Sequence, residues 1–273
     1  MFAKNFLSKL RRLAVDRGER YYPVGSFNEL DATHTTNYIF AKQFIWGKVV
    51  LDVGCGFGFG CDYLARSRSG YVVGIDISNE AVRFAKTHYK ASNLDFIVMD
   101  ANHLGFRDSS FDIITSFEVI EHMYNTKNYL FEMRRVLKTD GVAIISTPNK
   151  NVSSPGLRKP ILPFNVKEFN PEGLYSLLSQ YFKEVSILGK RLSNEEIKMK
   201  ERELRRSWKF KIIVKLSQRD LIRALARLLP LKIKQTLTGS RGFHLKPSDF
   251  EISAQSVEDA LTLILICRTP TRR

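Results

Sequence analysis

The chain has 273 residues with an apolar share of 44%, ordinary for a soluble protein and enough for one large domain or a domain with an insertion. Its longest apolar run, Ala260–Cys267, is far too short for a bilayer span and reads as a buried strand, and Lys4, Lys9, Arg11 and Arg12 break up any leader-like apolar stretch. The three cysteines, Cys55, Cys61 and Cys267, are odd in number and lack metal-ligand spacing, which predicts a reducing cytoplasm and no required metal.

Residues 2–14 set Phe2, Phe6, Leu10 and Leu13 along one side of a predicted amphipathic helix with a basic opposite face. A helix over 36–46 leads into a first strand at 48–53. Helix 58–67, strand 71–76, helix 79–89, strand 94–99, strand 111–117, helix 125–138 and strand 141–147 follow. Asn79 after Ser78, with Glu80 in the first turn, marks a helix start. A proline-bearing loop from Pro148 to Pro171 precedes helix 171–180 and strand 182–189. Residues 190–258 read as a basic helical insertion. It holds a charged helix at 196–216, a helix-start box at Ser217–Asp220, and a stripe of Leu221, Leu225, Leu228 and Leu229 that Pro230 stops. The last strand is 260–268. Four parts result: an N-terminal basic segment (1–34), a core (35–189), the insertion (190–258) and a final core strand with its tail (259–273). Alternating strands and helices predict an α/β fold, a doubly wound, Rossmann-like parallel sheet covered on both faces.

Val49–Gly60 is the most informative stretch. An apolar strand ends at Asp52 and runs into Gly54, Gly56, Gly58 and Gly60. Glycine permits a tight turn and the close approach of a ligand. A dinucleotide loop wants G-x-G-x-x-G, and here Phe59 or Cys61 occupies the third glycine position in either register. Asp52 would repel a pyrophosphate; it suits a ligand carrying an ammonium and a sulfonium. A second strand ends at Asp76, 22 residues after Gly54, about the separation at which a strand-end acid reaches a ribose diol.

These features resemble the class I S-adenosylmethionine-dependent methyltransferases. The matching segments are Leu51–Gly58, Val73–Ser78, Asp100–Asn102, Phe111–His122 and Arg135–Gly141, and the likeness extends over roughly residues 35–190 with the last strand near 260–268. The chain is most similar to the bacterial and archaeal members with Glu-Val-Ile-Glu-His after the fourth strand. The resemblance implies a seven-stranded sheet, mostly parallel, with an antiparallel last strand beside the sixth. A sixth strand parallel to the others ends at the carboxyl edge, where ligands bind in open α/β folds, so the insertion should leave from that side.

The site roles follow from the same resemblance. Gly54, Cys55, Gly56 and Gly58 would lie against the methionine part and ribose of S-adenosylmethionine, with Cys55 small and tolerated rather than reactive. Asp52 would act near the amino end, often through water. Asp76 would accept from both ribose hydroxyls. Ile77 would pack on the adenine, Asp100 and Ala101 would face its edge, and Phe117 would supply backbone beside the methionine. His34 lies on an upstream segment that, in the family, can fold over the cofactor.

Methyl transfer needs alignment from the protein and an activated methyl from the cofactor. A hydroxyl acceptor must also lose its proton. His122, after the fourth strand, suits that role, with Glu118 and Glu121 in the same segment; the alternative is that Glu121 and His122 only hold the strand-end loop. The segment Ser116-Phe117-Glu118-Val119 lacks the Asn/Asp-Pro-Pro-Tyr of amino-group methyltransferases and a Pro-Cys nucleophile, which favours oxygen.

The net charge of +15 is unevenly placed: residues 190–246 hold seventeen basic and five acidic residues, residues 1–20 six and two, and the remainder twenty and twenty-one. The added pieces therefore predict an anionic partner. The leading expectation is a hydroxyl on a small molecule, sugar, glycan or lipid-linked acceptor, met peripherally at an anionic inner membrane face. A nucleic-acid (RNA) methyltransferase is the rival, although Trp208, Phe210 and Phe243 make a thin stacking platform. A non-catalytic binding protein retaining the fold is a third reading, and a dimer contact would also account for the basic faces.

Overall fold

A computed structural model describes residues 29–162, 164–193, 195, 198–199, 246–255 and 257–269. The helices read at 2–14 and within 200–245 lie outside the described residues.

Helix α1 (Glu29–Ala41) and a 3-10 turn (Lys42–Phe44) lead into β1 (Val49–Val53). Helix α2 (Phe59–Ala65), β2 (Tyr71–Asp76), α3 (Asn79–His88) and β3 (Leu94–Val98) complete the first half. The Ser78 hydroxyl accepts from Ala81 N at 3.2 Å and starts α3 as the sequence predicts. The second half comprises β4 (Phe111–Phe117), α4 (Thr126–Val136), β5 (Leu137–Pro148), the short α5 (Lys150–Ser153), α6 (Pro171–Leu178), β6 (Glu184–Leu192), β7 (Phe250–Ser253) and β8 (Thr262–Arg268).

The strands form one sheet in the order β3-β2-β1-β4-β5-β8-β6-β7. Strands β1 to β5 pair in parallel, and β8 runs antiparallel between β5 and β6. Since β5 and β6 both oppose β8, they share a direction, and β6 ends on the carboxyl edge. Among the described residues the sheet has eight strands rather than the expected seven. The extra one is β7, which pairs antiparallel with β6 from Gly189↔Ser253 to Leu192↔Phe250. The core therefore extends to both margins of the segment read as an insertion. The pair Lys190-Arg191 hid this, because charge reads as the end of a strand.

Alternating strand residues feed two cores. On one face Leu51, Ile114 and Leu265 pack with Leu130 and Met133 of α4 and Leu174 and Leu178 of α6. On the other, Val50, Ile113 and Ile264 pack with Tyr38 and Ala41 of α1, Leu64 of α2 and Val82 of α3. Helices thus cover both faces, and the carboxyl ends of β1, β2, β4, β5 and β6 lie along one edge.

Candidate active site

The glycine loop begins where β1 stops. Gly54 turns with φ +76°, and a Cβ there would collide with Val119, so the loop after β4 packs directly on the glycine loop. Gly56 has φ +54° and open space within 4 Å of where a Cβ would stand. Its N–H donates to Asp76 Oδ2 at 3.0 Å, and Asp76 Oδ1 accepts from Ser78 N at 2.8 Å. A carboxylate offers about four acceptor directions, so Asp76 can hold this turn and a vicinal diol together. Beside it Ile77 is 60% exposed and Val98 47% exposed, an apolar shelf at the edge of the sheet. Open space over Gly56, acceptors on Asp76 and this shelf fit a ribose carrying a flat base.

Two other expected contacts are partly engaged. Asp100 Oδ1 accepts from Asn102 N at 2.8 Å and Asn102 Nδ2 at 3.0 Å. Ala101 packs against the core. The Phe117 ring is buried edge-on to Tyr38, with centroids 4.9 Å apart, which leaves its backbone at the β4 terminus.

Asp52 is held by the protein's own groups. It is 1% exposed, and its oxygens are taken by Thr115 Oγ1 at 2.7 Å, Tyr38 OH at 2.9 Å and Cys61 Sγ at 3.1 Å. Burial pushes its pKa up to about 6, against the lowering effect of those donors. Asp52 ties α1, α2 and β4 together beneath the loop. Cys61 is correspondingly inert, its thiol pushed well up by burial.

The loop after β4 separates the three proton-transfer candidates. Glu118 adopts φ +56° and is half-buried. His122 closes a short 3-10 turn, with Nδ1 at 3.3 Å from Phe164 O. A carbonyl only accepts, so the proton sits on Nδ1 and the lone pair on Nε2. Glu121 is 1% exposed beneath the proline-bearing loop: its carbonyl accepts from Val166 N at 2.8 Å and Lys167 N at 3.2 Å, and Oε2 accepts from Thr147 Oγ1 at 3.0 Å. Burial, reinforced by the charge of Glu118, holds its carboxyl well above the usual carboxylate range. Glu121 is thus buried and engaged by Thr147 and by the loop above it, unlike the half-buried Glu118 and His122.

Sequence reading missed Tyr38, Asn37, Ser146 and Lys190. Nothing in their immediate sequence marks them, because Asn37, Tyr38 and Lys190 each have a polar neighbour and Ser146 is followed by Thr147.

Residues 51–145 match a family model described as "Methyltransferase domain". A protein of Mycobacterium tuberculosis (strain CDC 1551 / Oshkosh), described as a probable S-adenosylmethionine-dependent methyltransferase, is 37% identical over 131 residues, 47% of this chain and 46% of its own length. The ubiquinone biosynthesis O-methyltransferase of Haemophilus ducreyi is 31% identical over 160 residues, 54% of this chain and 65% of its own length. The chain spans about half the length of the first curated relatives it matches. A Thermotoga maritima structure described as a SAM-dependent methyltransferase shares the fold with TM-score 0.57 at 13% identity, covering 86% of this chain and 88% of that one.

Proposed function

We propose that this chain, which carries a class I S-adenosylmethionine-dependent methyltransferase domain, methylates an oxygen of a small-molecule, sugar, glycan or lipid-linked acceptor. The observation that carries the reading is the open Gly56 turn held by Asp76 beside the exposed Ile77. When bound, S-adenosylmethionine supplies a methyl group activated on a sulfonium. The residues of the chain supply the rest. Asp76 takes the ribose hydroxyls, and Ile77 and Val98 cover the base. The backbone from Gly54 to Gly58 and at Phe117 lines the methionine end. His122 Nε2 draws the proton from the acceptor hydroxyl as general base. Holding the reactants in line accounts for roughly 7–11 kcal/mol of barrier in favourable cases.

Oxygen is favoured by the Ser116–Val119 segment and by the likeness to an O-methyltransferase. Within the same proposal, the basic segments 1–20 and 190–246 bring the domain to an anionic membrane face. No helix among the described residues is long and apolar enough to cross a membrane.

The test uses methyl-labelled S-adenosylmethionine with the purified protein and separated lipid, glycan, small-molecule and RNA fractions. Label in a lipid, glycan or small-molecule fraction, stable as an ether or ester, is the expected result. Label confined to RNA overturns the acceptor, and failure to bind the cofactor overturns the whole reading. Sedimentation with anionic and neutral vesicles tests the membrane part, which requires binding to the anionic ones that weakens with salt.

A further inference from the structure

Lys190 is fully buried on β6, and nothing in the chemistry above uses it. Its Nζ donates to Thr33 O at 3.0 Å and to Asn37 Oδ1 at 2.7 Å, and it lies 5.7 Å from the centre of the Phe250 ring. From there the contacts continue across the sheet edge. Asn37 Nδ2 donates to Ser146 Oγ at 3.1 Å, and Ser146 Oγ donates to Glu118 Oε1 at 2.8 Å. Asn37 and Ser146 are fully buried.

Chemistry dictates the direction of this string. An ammonium only donates, so it must meet the carbonyl oxygen of Asn37. That choice turns the amide nitrogen toward Ser146. The Ser146 hydroxyl, receiving there, has one proton to give, and it goes to a carboxylate that only accepts. The dipoles therefore run head to tail from a buried positive charge to Glu118, each polarising the next. An amide does not pass protons in such a line, so the string transmits polarity and position. Burial lowers the Lys190 pKa to about 8 while the charge of Glu118 opposes that shift, so the side chain stays an ammonium at neutral pH.

Glu118 is held at its other atoms as well. Its N–H lies 3.1 Å from Ser146 O and 3.2 Å from Ser146 Oγ, and its backbone is left-handed. Oε2 meets no donor among the described residues. The loop carrying it packs on the glycine loop through Val119 and Gly54. Asp52, the other carboxylate at this end, is spent on Tyr38, Thr115 and Cys61. A cationic amino group arriving here has Glu118 to meet.

We propose that Lys190 is a positioning residue: acting through Asn37 and Ser146, it fixes the side chain of Glu118 so that Oε2 takes the α-ammonium of the cofactor's methionine part. The proposal rests on the reading that the site holds S-adenosylmethionine. Calorimetric titration of S-adenosylhomocysteine and of 5′-methylthioadenosine, which lacks the amino-acid end, tests it. Glu118→Gln and Lys190→Met should weaken S-adenosylhomocysteine roughly 10- to 100-fold and change 5′-methylthioadenosine by less than about twofold. If Lys190→Met does not fold, Ser146→Ala cuts the same string at one hydroxyl and should show the same selective loss. Equal losses for both ligands, or unchanged S-adenosylhomocysteine binding in folded variants, overturn the proposal. Wild-type protein that binds neither ligand overturns the cofactor reading itself, an outcome distinct from the other two.

Discussion

The Tyr38 hydroxyl donates to Asp52 Oδ2 across 2.9 Å, joining helix α1 to the strand beneath the glycine loop. The Tyr38 ring also meets Phe59 and Phe117 edge-on, at 5.3 and 4.9 Å between centroids. One side chain thus fastens the N-terminal helix over the cofactor-binding edge by a polar and an aromatic contact.

Tyr38→Phe keeps the ring contacts and removes only the donor. A buried carboxylate that loses a charge-assisted hydrogen bond should cost about 1.5–3 kcal/mol of stability. Urea unfolding measures this directly. An unchanged midpoint would show that Asp52 does not depend on the hydroxyl.

Asp52 also writes a pH dependence into stability. Its pKa is raised in the folded protein from 3.8 to about 6, so the native state keeps a proton that the unfolded chain has already released. Stability contributed by this group is full at low pH and is lost as pH rises from about 4 to about 6, then levels. Asp52→Asn has no proton to lose. Wild-type stability minus that of the variant should therefore fall by roughly 2–2.5 kcal/mol between pH 4 and pH 7. A difference independent of pH would mean that Asp52 titrates normally.

The sheet and the turn that joins Gly56 to Asp76 were legible because both rest on local rules. Alternating apolar positions announce β1, β2 and β4, and left-handed glycines followed by a strand-end acid leave few other arrangements. The polar tethers were not legible, because they join residues distant in sequence. Asn37 meets Ser146 across 109 positions and Lys190 across 153. Nothing near Lys190 announces that β6 continues through it, since the apolar alternation breaks at the two basic residues. Glu121 misled for a related reason: its place in a recognisable motif says nothing about the loop that returns from residue 166 to cover it.

Asp76 holds the glycine loop through Gly56 and, in the proposed reading, also takes the ribose, so its loss should be felt in binding. Asp76→Ala removes acceptors for Gly56 N and Ser78 N as well as for the ribose. Affinity for S-adenosylmethionine should fall by roughly 1.5–3 kcal/mol for each charge-assisted bond lost. Calorimetry that shows equal affinity would remove Asp76 from the site. Ile77→Asp provides an independent arm: a charge on the apolar shelf should weaken adenine binding without disturbing the turn.

The last prediction separates His122 from its neighbour Glu121. The two are adjacent in sequence, but the fold treats them differently. His122 is half-buried and keeps Nε2 as a lone-pair donor while Nδ1 faces Phe164 O at 3.3 Å. Glu121 lies buried under the proline-bearing loop, and burial holds its carboxyl above the usual carboxylate range. An amide of the same shape keeps an oxygen for Thr147 and fills the same space. Glu121→Gln should therefore retain methyl transfer to the labelled acceptor fraction within a few-fold, whereas Glu121→Ala, which leaves Thr147 Oγ1 without its partner and opens a cavity, should lose stability. His122→Ala should lower turnover by roughly 10²–10⁴-fold while leaving S-adenosylhomocysteine affinity nearly intact. Full activity in His122→Ala would assign that residue to the loop alone, and a collapse of activity in a folded Glu121→Gln would return Glu121 to the chemistry.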